Sequence, residues 1–472
     1  MPQVSLFWKA LPIVSPFMVF MGWLTWQAQD NGFFWDNILL ASKYGQWYYQ
    51  TRFSTLFVPE ELAGYPPLFG MYIAAGWHLC GKSLPVSHFL MLPFLLGIVW
   101  QVYLLVQRFV ASRVWLMLGM LLVFLDPTLL AQSTQVAPDL ALLFLYLICL
   151  NALLRHQSLP LATALVCMAL LSPRSQLLLP AVYLTQLFLQ WQESKTISFQ
   201  IFIRNSKVYL PAAFLLCLWL GLHYWHYGWV GFSRTSDWGE YAAFVSPTGF
   251  LRNVGLIGWR LLDFGRIALW FTAAVLLWHY RKHLSSSTQQ LLVLLLVPLI
   301  TQSLVLVWFT NPIAHRYWLI IYVLLGILTT HLLEQMVRLR VKQAIYLVLV
   351  VSLLSGHFWL YPPKIAKGWD ATLAHWPYFE LRREMLAYLD QRQIKWSQVG
   401  SDFPNLAAPA DTDLASDRRQ LSAKDFATQP YILYSNVLNS FTDQELEALQ
   451  RHWVVVHELS SGQVFMRLYA KR

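Results

Sequence analysis

Apolar residues run in long blocks through the first 361 positions of this 472-residue chain and then give way to shorter amphipathic patterns. The blocks fall at about 11–28, 86–107, 114–131, 138–154, 159–172, 176–192, 208–224, 264–280, 289–309, 315–334 and 343–361. A helix crossing a bilayer needs about 20 apolar residues, so the pattern predicts about eleven spans. The block from Leu11 to Trp26 has no small-residue cleavage site behind it and is expected to be the first span. A shorter block at 66–79 ends in Trp77-His78 and is expected to lie in the membrane interface. Beyond Tyr361 the pattern changes. Tyr378 to Gln391 has helical period, Trp396–Asp402 and Tyr431–Val437 read as strands, and Trp453–Leu459 with Val464–Tyr469 form a hairpin about Ser461-Gly462. Thr442 to Arg451 reads as a helix with Thr442 as N-cap and Glu445 closing a capping box. The segment 404–425, rich in Asp, Ala, Ser and Pro, is expected to be a loop. The expected architecture is a polytopic α-helical membrane domain, 1–361, followed by a small α/β domain, 362–472.

Composition agrees with a chain solvated mostly by lipid. Only 12% of residues are charged, 57% are hydrophobic, and soluble chains carry about 25% charged residues. The net charge of +10 does not point to nucleic acid, because the tail carries equal numbers of basic and acidic residues. The excess sits in alternate short loops: Lys9; Arg108 and Arg113; Arg155; Lys195, Arg204 and Lys207; Arg281 and Lys282; Arg338, Arg340 and Lys342. The positive-inside rule places all of these in the cytoplasm, which puts the N-terminus inside and the tail outside. The expected location is a bacterial plasma (inner) membrane. The four cysteines form no disulfide or metal motif. No nucleotide-binding or hydrolase fingerprint occurs in a credible context.

The loops on the other face carry the candidate chemistry. The long first outer loop, 29–85, opens with Gln29-Asp30-Asn31-Gly32-Phe33-Phe34-Trp35-Asp36-Asn37. Its two carboxylates stand at a membrane surface, where partial desolvation raises a carboxyl pKa and makes a better base. Asp30 as a plain helix end is the competing reading. The loop continues through Gly45-Gln46-Trp47 to Ala63-Gly64-Tyr65-Pro66-Pro67-Leu68. In this layout the chain resembles the GT-C membrane glycosyltransferases that use polyprenyl-phosphate sugars, among them the protein O-mannosyltransferases and the aminoarabinose transferase of lipid A. In that superfamily an Asp, usually followed by Glu, opens the first outer loop. A helix, a Gly-Asp-Trp-like turn and a Lys-Pro-Pro-like motif follow. Counted back from Gly45, Asp30 falls at the family's acid and Asp36 one to two turns later. Asn31 stands for the second acid, and Tyr65 stands where the family has Lys.

The resemblance implies further site residues. Asp139, in Ala137-Pro138-Asp139, would orient a sugar hydroxyl or a metal, although a helix N-cap explains it equally. Arg174 lies where the family has a cation. Asn311-Pro312-Ile313-Ala314-His315-Arg316-Tyr317 looks like the family's Arg-Tyr element. A guanidinium on the outer side breaks the positive-inside pattern and grips phosphate bidentately, so Arg316, with His315 and Arg174, is the expected donor-phosphate site. Snorkelling to outer headgroups is the alternative for the two arginines. Arg234, Asp237, Glu240, Arg252, Arg260, Asp263 and Arg266 form a mixed cluster in the loop expected at 225–262 and its flank. Tyr65, Asp139 and Arg266 are taken as substrate contacts. His223 and His226 are three apart, but interfacial packing explains them, and neither metal nor cofactor is expected. The expected partners are a polyprenyl-phosphate sugar, a lipid, glycan or protein acceptor, and the bilayer. The expected activity is inverting hexosyl or pentosyl transfer on the outer face with Asp30 or Asp36 as base. The alternative is a transporter or lipid-linked glycan flippase, which would need polar groups deep within the spans.

Overall fold

A computed structural model describes residues 2–195, 199–231, 243–310, 313–359, 361, 369–437 and 441–472, apart from the side chains of 2–7, 9 and 199–201. The Lys9 side chain, Arg234, Asp237, Glu240, Asn311 and Pro312 lie outside these.

The chain enters with α1 (Pro2–Ala28), an extended strip to Asn37, and a π-helical turn, Ile38–Lys43, that runs on into α2 (Tyr44–Thr51). Gly45 is therefore inside a helix, where a turn was expected. A Cβ on Gly45 would sit 3.0 Å from both Ile73 and Trp77 of α3 (Leu68–Cys80), so its bare backbone sets how closely the two helices approach. Ser83 caps α4 (Leu84–Phe89), and α5 (Leu92–Phe109) follows. The block expected as one span at 114–131 is broken into α6 (Arg113–Phe124) and α7 (Pro127–Ser133), which meet at 68°. Asp126 causes the break. Its carboxylate accepts from the Thr128 and Leu129 amides, and Pro127 begins a new helix that cannot continue the old hydrogen-bond ladder.

The next helices are α8 (Pro138–Leu154), α9 (Ser158–Ala169), α10 (Pro173–Ser194) and α11 (Phe199–Tyr227). Part of the expected loop 225–262 is instead the amphipathic helix α12 (Pro247–Leu262), which turns by 89° into α13 (Arg266–Tyr280). That corner needs Gly265, at φ +85°, because a Cβ there would come within 2.0 Å of the Ser352 carbonyl oxygen. α14 (Ser286–Leu306), α15 (Leu319–Glu334) and α16 (Leu339–Ser355) complete the membrane part. α15 is apolar all round and buried by α5, α6, α8, α13, α14 and α16, as a central helix must be. Among the described residues five segments are long and apolar enough to cross a bilayer, or up to seven if each bent pair is one span. α3, α8 and α9 are apolar but shorter.

The tail builds α17 (Tyr378–Gln391), α18 (Pro409–Thr412) and α19 (Asp443–His452) around strands β1 (Val399–Ser401), β2 (Ser422–Ala423), β3 (Tyr431–Ser435), β4 (Trp453–Ser461) and β5 (Val464–Lys471). The sheet order is β2-β1-β3-β5-β4, with β1 parallel to β2 and β3, and β5 antiparallel to β3 and β4. Period-two alternation divides its faces. Leu433 joins the core with Met385 and Leu389 of α17, while Ile432 and Tyr434 pack with Leu446 and Leu449 of α19. The segment 404–425, expected as a loop, contains α18 and β2.

The tail docks on the strip after α1. The Phe33 amide donates to the Thr412 carbonyl at 2.7 Å, and Phe34 stacks on His375 with ring centroids 5.1 Å apart. Gln46 Nε2 reaches the Ala410 carbonyl at 3.1 Å, and Lys43 lies 3.7 Å from Asp411. The tail thus sits at the end of the bundle where α8 and α10 begin. The basic loops 108–113, 155, 281–282 and 338–342 connect helices at the opposite end.

Candidate active site

Five separate pieces of chain converge at the tail-bearing end. Asp36 ends the strip after α1. Its backbone carbonyl accepts from the Leu39 and Leu40 amides at 3.0 and 2.9 Å at the entry to the π-helical turn. Asn37 beside it donates to Gln135 Oε1 at 3.1 Å. Arg316 lies in the single 3-10 turn His315–Trp318 that feeds α15. Asp139 is in the first turn of α8, and Arg174 in the first turn of α10, whose N-terminus carries a Ser172–Ser175 capping box. Asp370 belongs to the Trp369–Ala371 turn, where the tail begins. Gln132 of α7 donates to the Asp370 carbonyl at 2.9 Å, and Thr128 to the Ala371 carbonyl at 3.1 Å.

Arg316 is the hub. Its Nη2 contacts Asp36 Oδ2, its Nη1 contacts Asp370 Oδ2, and its Nε lies 3.7 Å from Asp139 Oδ2. Asp139 in turn holds Arg174 through Oδ1. Both guanidiniums face the Tyr317 ring, Arg174 at 4.4 Å and Arg316 at 5.6 Å from its centroid. Asp36, Asp139, Arg316 and Asp370 are each less than a tenth exposed. Two guanidiniums therefore serve three buried carboxylates, one more negative charge than they can match. Burial pushes the Asp36 carboxyl up to about 6; Arg316 and Arg174 oppose that rise, and Asp370 and Asp139 add to it. Asp36 Oδ1 has no hydrogen-bond partner among the described residues. Burial, and after it the Asp36 charge, holds the Tyr65 hydroxyl well above the ordinary tyrosine range, which places Tyr65 beside this cluster in its protonated form.

The other candidates lie elsewhere. Asp30 is exposed, and its backbone carbonyl accepts from Arg383 of the tail at 2.8 Å. The strip is buried from Asn31 to Phe34, so the exposed Asp30 and the buried Asp36 stand six positions apart on opposite sides of that turn inward. His315 points away from Arg316 and meets Asp263 Oδ2 at 2.8 Å, where Tyr361 also donates to Asp263. Arg266 is fully buried, and all three of its nitrogens are engaged. Nε and Nη2 grip Asp126 at 2.6 and 2.9 Å, and Nη1 donates to the Asp263 carbonyl at 3.2 Å. In place of the expected substrate contact it ties α13 to the α6–α7 break, with its guanidinium 3.7 Å from the Tyr322 ring centroid. Asp370 was not anticipated from sequence. An isolated Asp at the start of a tail carries no local signal, and only the docking of the tail brings it to Arg316.

Among the described residues every buried Asp or Arg of the membrane part, Asp36, Asp126, Asp139, Arg260, Asp263, Arg266 and Arg316, lies at this one end of the bundle. No three His, Cys, Asp or Glu side chains among the described residues are grouped as metal ligands.

No protein-family model and no curated protein matches the sequence. Solved structures do match in fold. ArnT from Cupriavidus metallidurans bound to undecaprenyl phosphate superposes with a TM-score of 0.56 at 11% identity, covering 97% of this chain and 98% of that one. The same protein in its apo state gives 0.53 at 11% identity, with 98% of each chain covered. The mycobacterial arabinofuranosyltransferase AftD gives 0.52 at 12% identity, covering 98% of this chain and 41% of AftD. This chain has the GT-C fold that its sequence resembles.

Proposed function

We propose that the chain is a membrane glycosyltransferase that moves a sugar from a polyprenyl-phosphate donor to an acceptor at the membrane face bearing the Arg316 cluster. The observation that carries this reading is the Arg316 hub itself, a buried guanidinium shared by carboxylates from three distant segments at one end of an apolar bundle. The GT-C fold supports it, as does the undecaprenyl phosphate seen in the ArnT structure.

In this reading the donor phosphate meets Arg316 and Arg174, which stay charged and offer planar pairs of N–H donors. The acceptor hydroxyl attacks the anomeric carbon as the bond from that carbon to the phosphate oxygen breaks. The oxygen keeps the electron pair, so charge grows on the leaving polyprenyl phosphate, and the two guanidiniums stabilise it. The acceptor's proton passes to Asp36 through Oδ1, the oxygen that Arg316 leaves unengaged. Asp36 serves better than Asp30 because it is buried among the phosphate-binding groups. Direct displacement inverts the anomeric carbon. The face is extracytoplasmic if the basic loops at the other end obey the positive-inside rule.

The test uses purified full-length protein and a panel of synthetic polyprenyl-phosphate hexoses and pentoses, with total membrane glycolipid as acceptor. Release of polyprenyl phosphate from at least one donor, lost in Arg316→Gln, is expected. Transport of a lipid-linked sugar across proteoliposomes with no cleavage of any donor would overturn the reading.

A further inference from the structure

A second polar site lies a bilayer's thickness from the Arg316 cluster. α8 and α10 carry Asp139 and Arg174 in their first turns, and they run about 26 and 33 Å away from them at 1.5 Å per residue. At their far ends, with the end of α5 and the start of α11, they enclose a cavity of about 250 Å³. Arg108, His156, Glu193 and Arg204 line it on the polar side, and Leu161, Leu189 and Val208 line it on the apolar side. Its wall is fixed by a reciprocal amide pair. Gln190 Nε2 donates to Asn205 Oδ1 at 3.1 Å, and Asn205 Nδ2 to Gln190 Oε1 at 2.5 Å.

The charges in this cavity do not neutralise one another. Among the described residues no ion pair involves Arg108, Arg204 or Glu193, although all three line one small space. Two guanidiniums and one carboxylate held apart match a ligand with an anionic and a cationic group a few bonds apart. Basic pockets between spanning helices take lipid headgroups, and Leu161, Leu189 and Val208 give this one an apolar wall beside its charges. We infer that this cavity binds the headgroup of a phosphoethanolamine phospholipid. Its phosphate lies on Arg108 and Arg204, its primary ammonium on Glu193, and its acyl chains against Leu161, Leu189 and Val208. A purely anionic headgroup would face Glu193 unpaired. A quaternary choline would leave the carboxylate without a hydrogen-bond donor.

Native mass spectrometry of the full-length protein, titrated with single phospholipids, tests the inference. Phosphatidylethanolamine is expected to bind at one site at least tenfold more tightly than phosphatidylcholine or phosphatidylglycerol. The double substitution Arg108→Gln/Arg204→Gln should weaken it at least tenfold. Glu193→Gln should keep phospholipid binding and erase the preference for ethanolamine over choline. All three positions are exposed, so the variants are expected to keep the wild-type circular dichroism. Equal retention of phosphatidylethanolamine by wild type and the arginine variant would overturn the site. Glycerophosphoethanolamine binding as tightly as the intact lipid would overturn its assignment to the membrane.

Discussion

Asp36→Asn tests the electrostatics of the site and its chemistry together. Burial among Arg316, Arg174, Asp370 and Asp139 lifts the Asp36 carboxyl from its ordinary 3.8 to about 6. At 1.36 kcal/mol per pH unit, keeping this carboxylate ionised in the folded protein costs about 3 kcal/mol. The folded state holds the proton to a higher pH than the unfolded chain does. This group's contribution is therefore most favourable below about pH 4, and it is lost as pH rises through about 6. Asn keeps the shape and removes the charge. At pH 7.5 the variant should be as stable as wild type or more stable, by up to about 3 kcal/mol, and the difference should shrink to near zero as pH falls toward 4. The same substitution removes the proton acceptor, and turnover should fall by about 10²–10⁴. The assay pairs thermal unfolding of detergent-solubilised protein across pH with chromatographic measurement of released polyprenyl phosphate. A variant less stable than wild type at pH 7.5, with a gap that does not change toward pH 4, would refute the charge argument. Undiminished turnover would remove Asp36 from the chemistry.

Three further outcomes are expected. In wild type, kcat/KM should rise about tenfold per pH unit up to about pH 6 and then level off, because only the ionised Asp36 accepts a proton; a flat profile from pH 5 to 8 would count against it. Arg316→Met should cost about 3–5 kcal/mol of stability, since it strands buried carboxylates, whereas Arg316→Lys should keep most of the fold and lose donor affinity, read as a raised KM, because an ammonium cannot bridge Asp36 and Asp370 as a planar fork does. Gly265→Ala should lower the unfolding temperature, through about 1–2 kcal/mol of left-handed backbone strain and through the clash with the Ser352 carbonyl; an unchanged melting curve would mean the corner relaxes freely.

How much was legible in the sequence follows from how local each feature is. Helix and strand identity in the tail depends on short-range periodicity and capping, and the helix Tyr378–Gln391 and the Thr442–Glu445 capping box stand where the pattern puts them. Apolar blocks mark lipid-facing or core helices because burial of a helix has a 3.6-residue signature, or none at all when every face is covered, as in α15. A hydropathy pattern does not reveal a sharp bend, however. Asp126 splits one apolar block through a local helix cap that mean hydropathy does not register, and Gly265 sets a right-angled corner against Ser352, far along the chain.

The sequence by itself determined that this is a many-helix membrane protein with a small α/β tail, because composition and periodicity act residue by residue. It also pointed to an outer loop carrying Asp30 and Asp36 and to Arg174 and Arg316, charges placed where lipid energetics disfavour them. Only the tertiary structure decided which carboxylate joins which cation. The strip after α1 turns Asp36 inward and Asp30 outward, Arg266 is spent on Asp126, and Asp370 reaches Arg316 only once the tail has docked. Pairing buried charges is a long-range decision. Each ion must find its partner across the fold to offset desolvation, and nothing in the neighbouring sequence records where that partner will be.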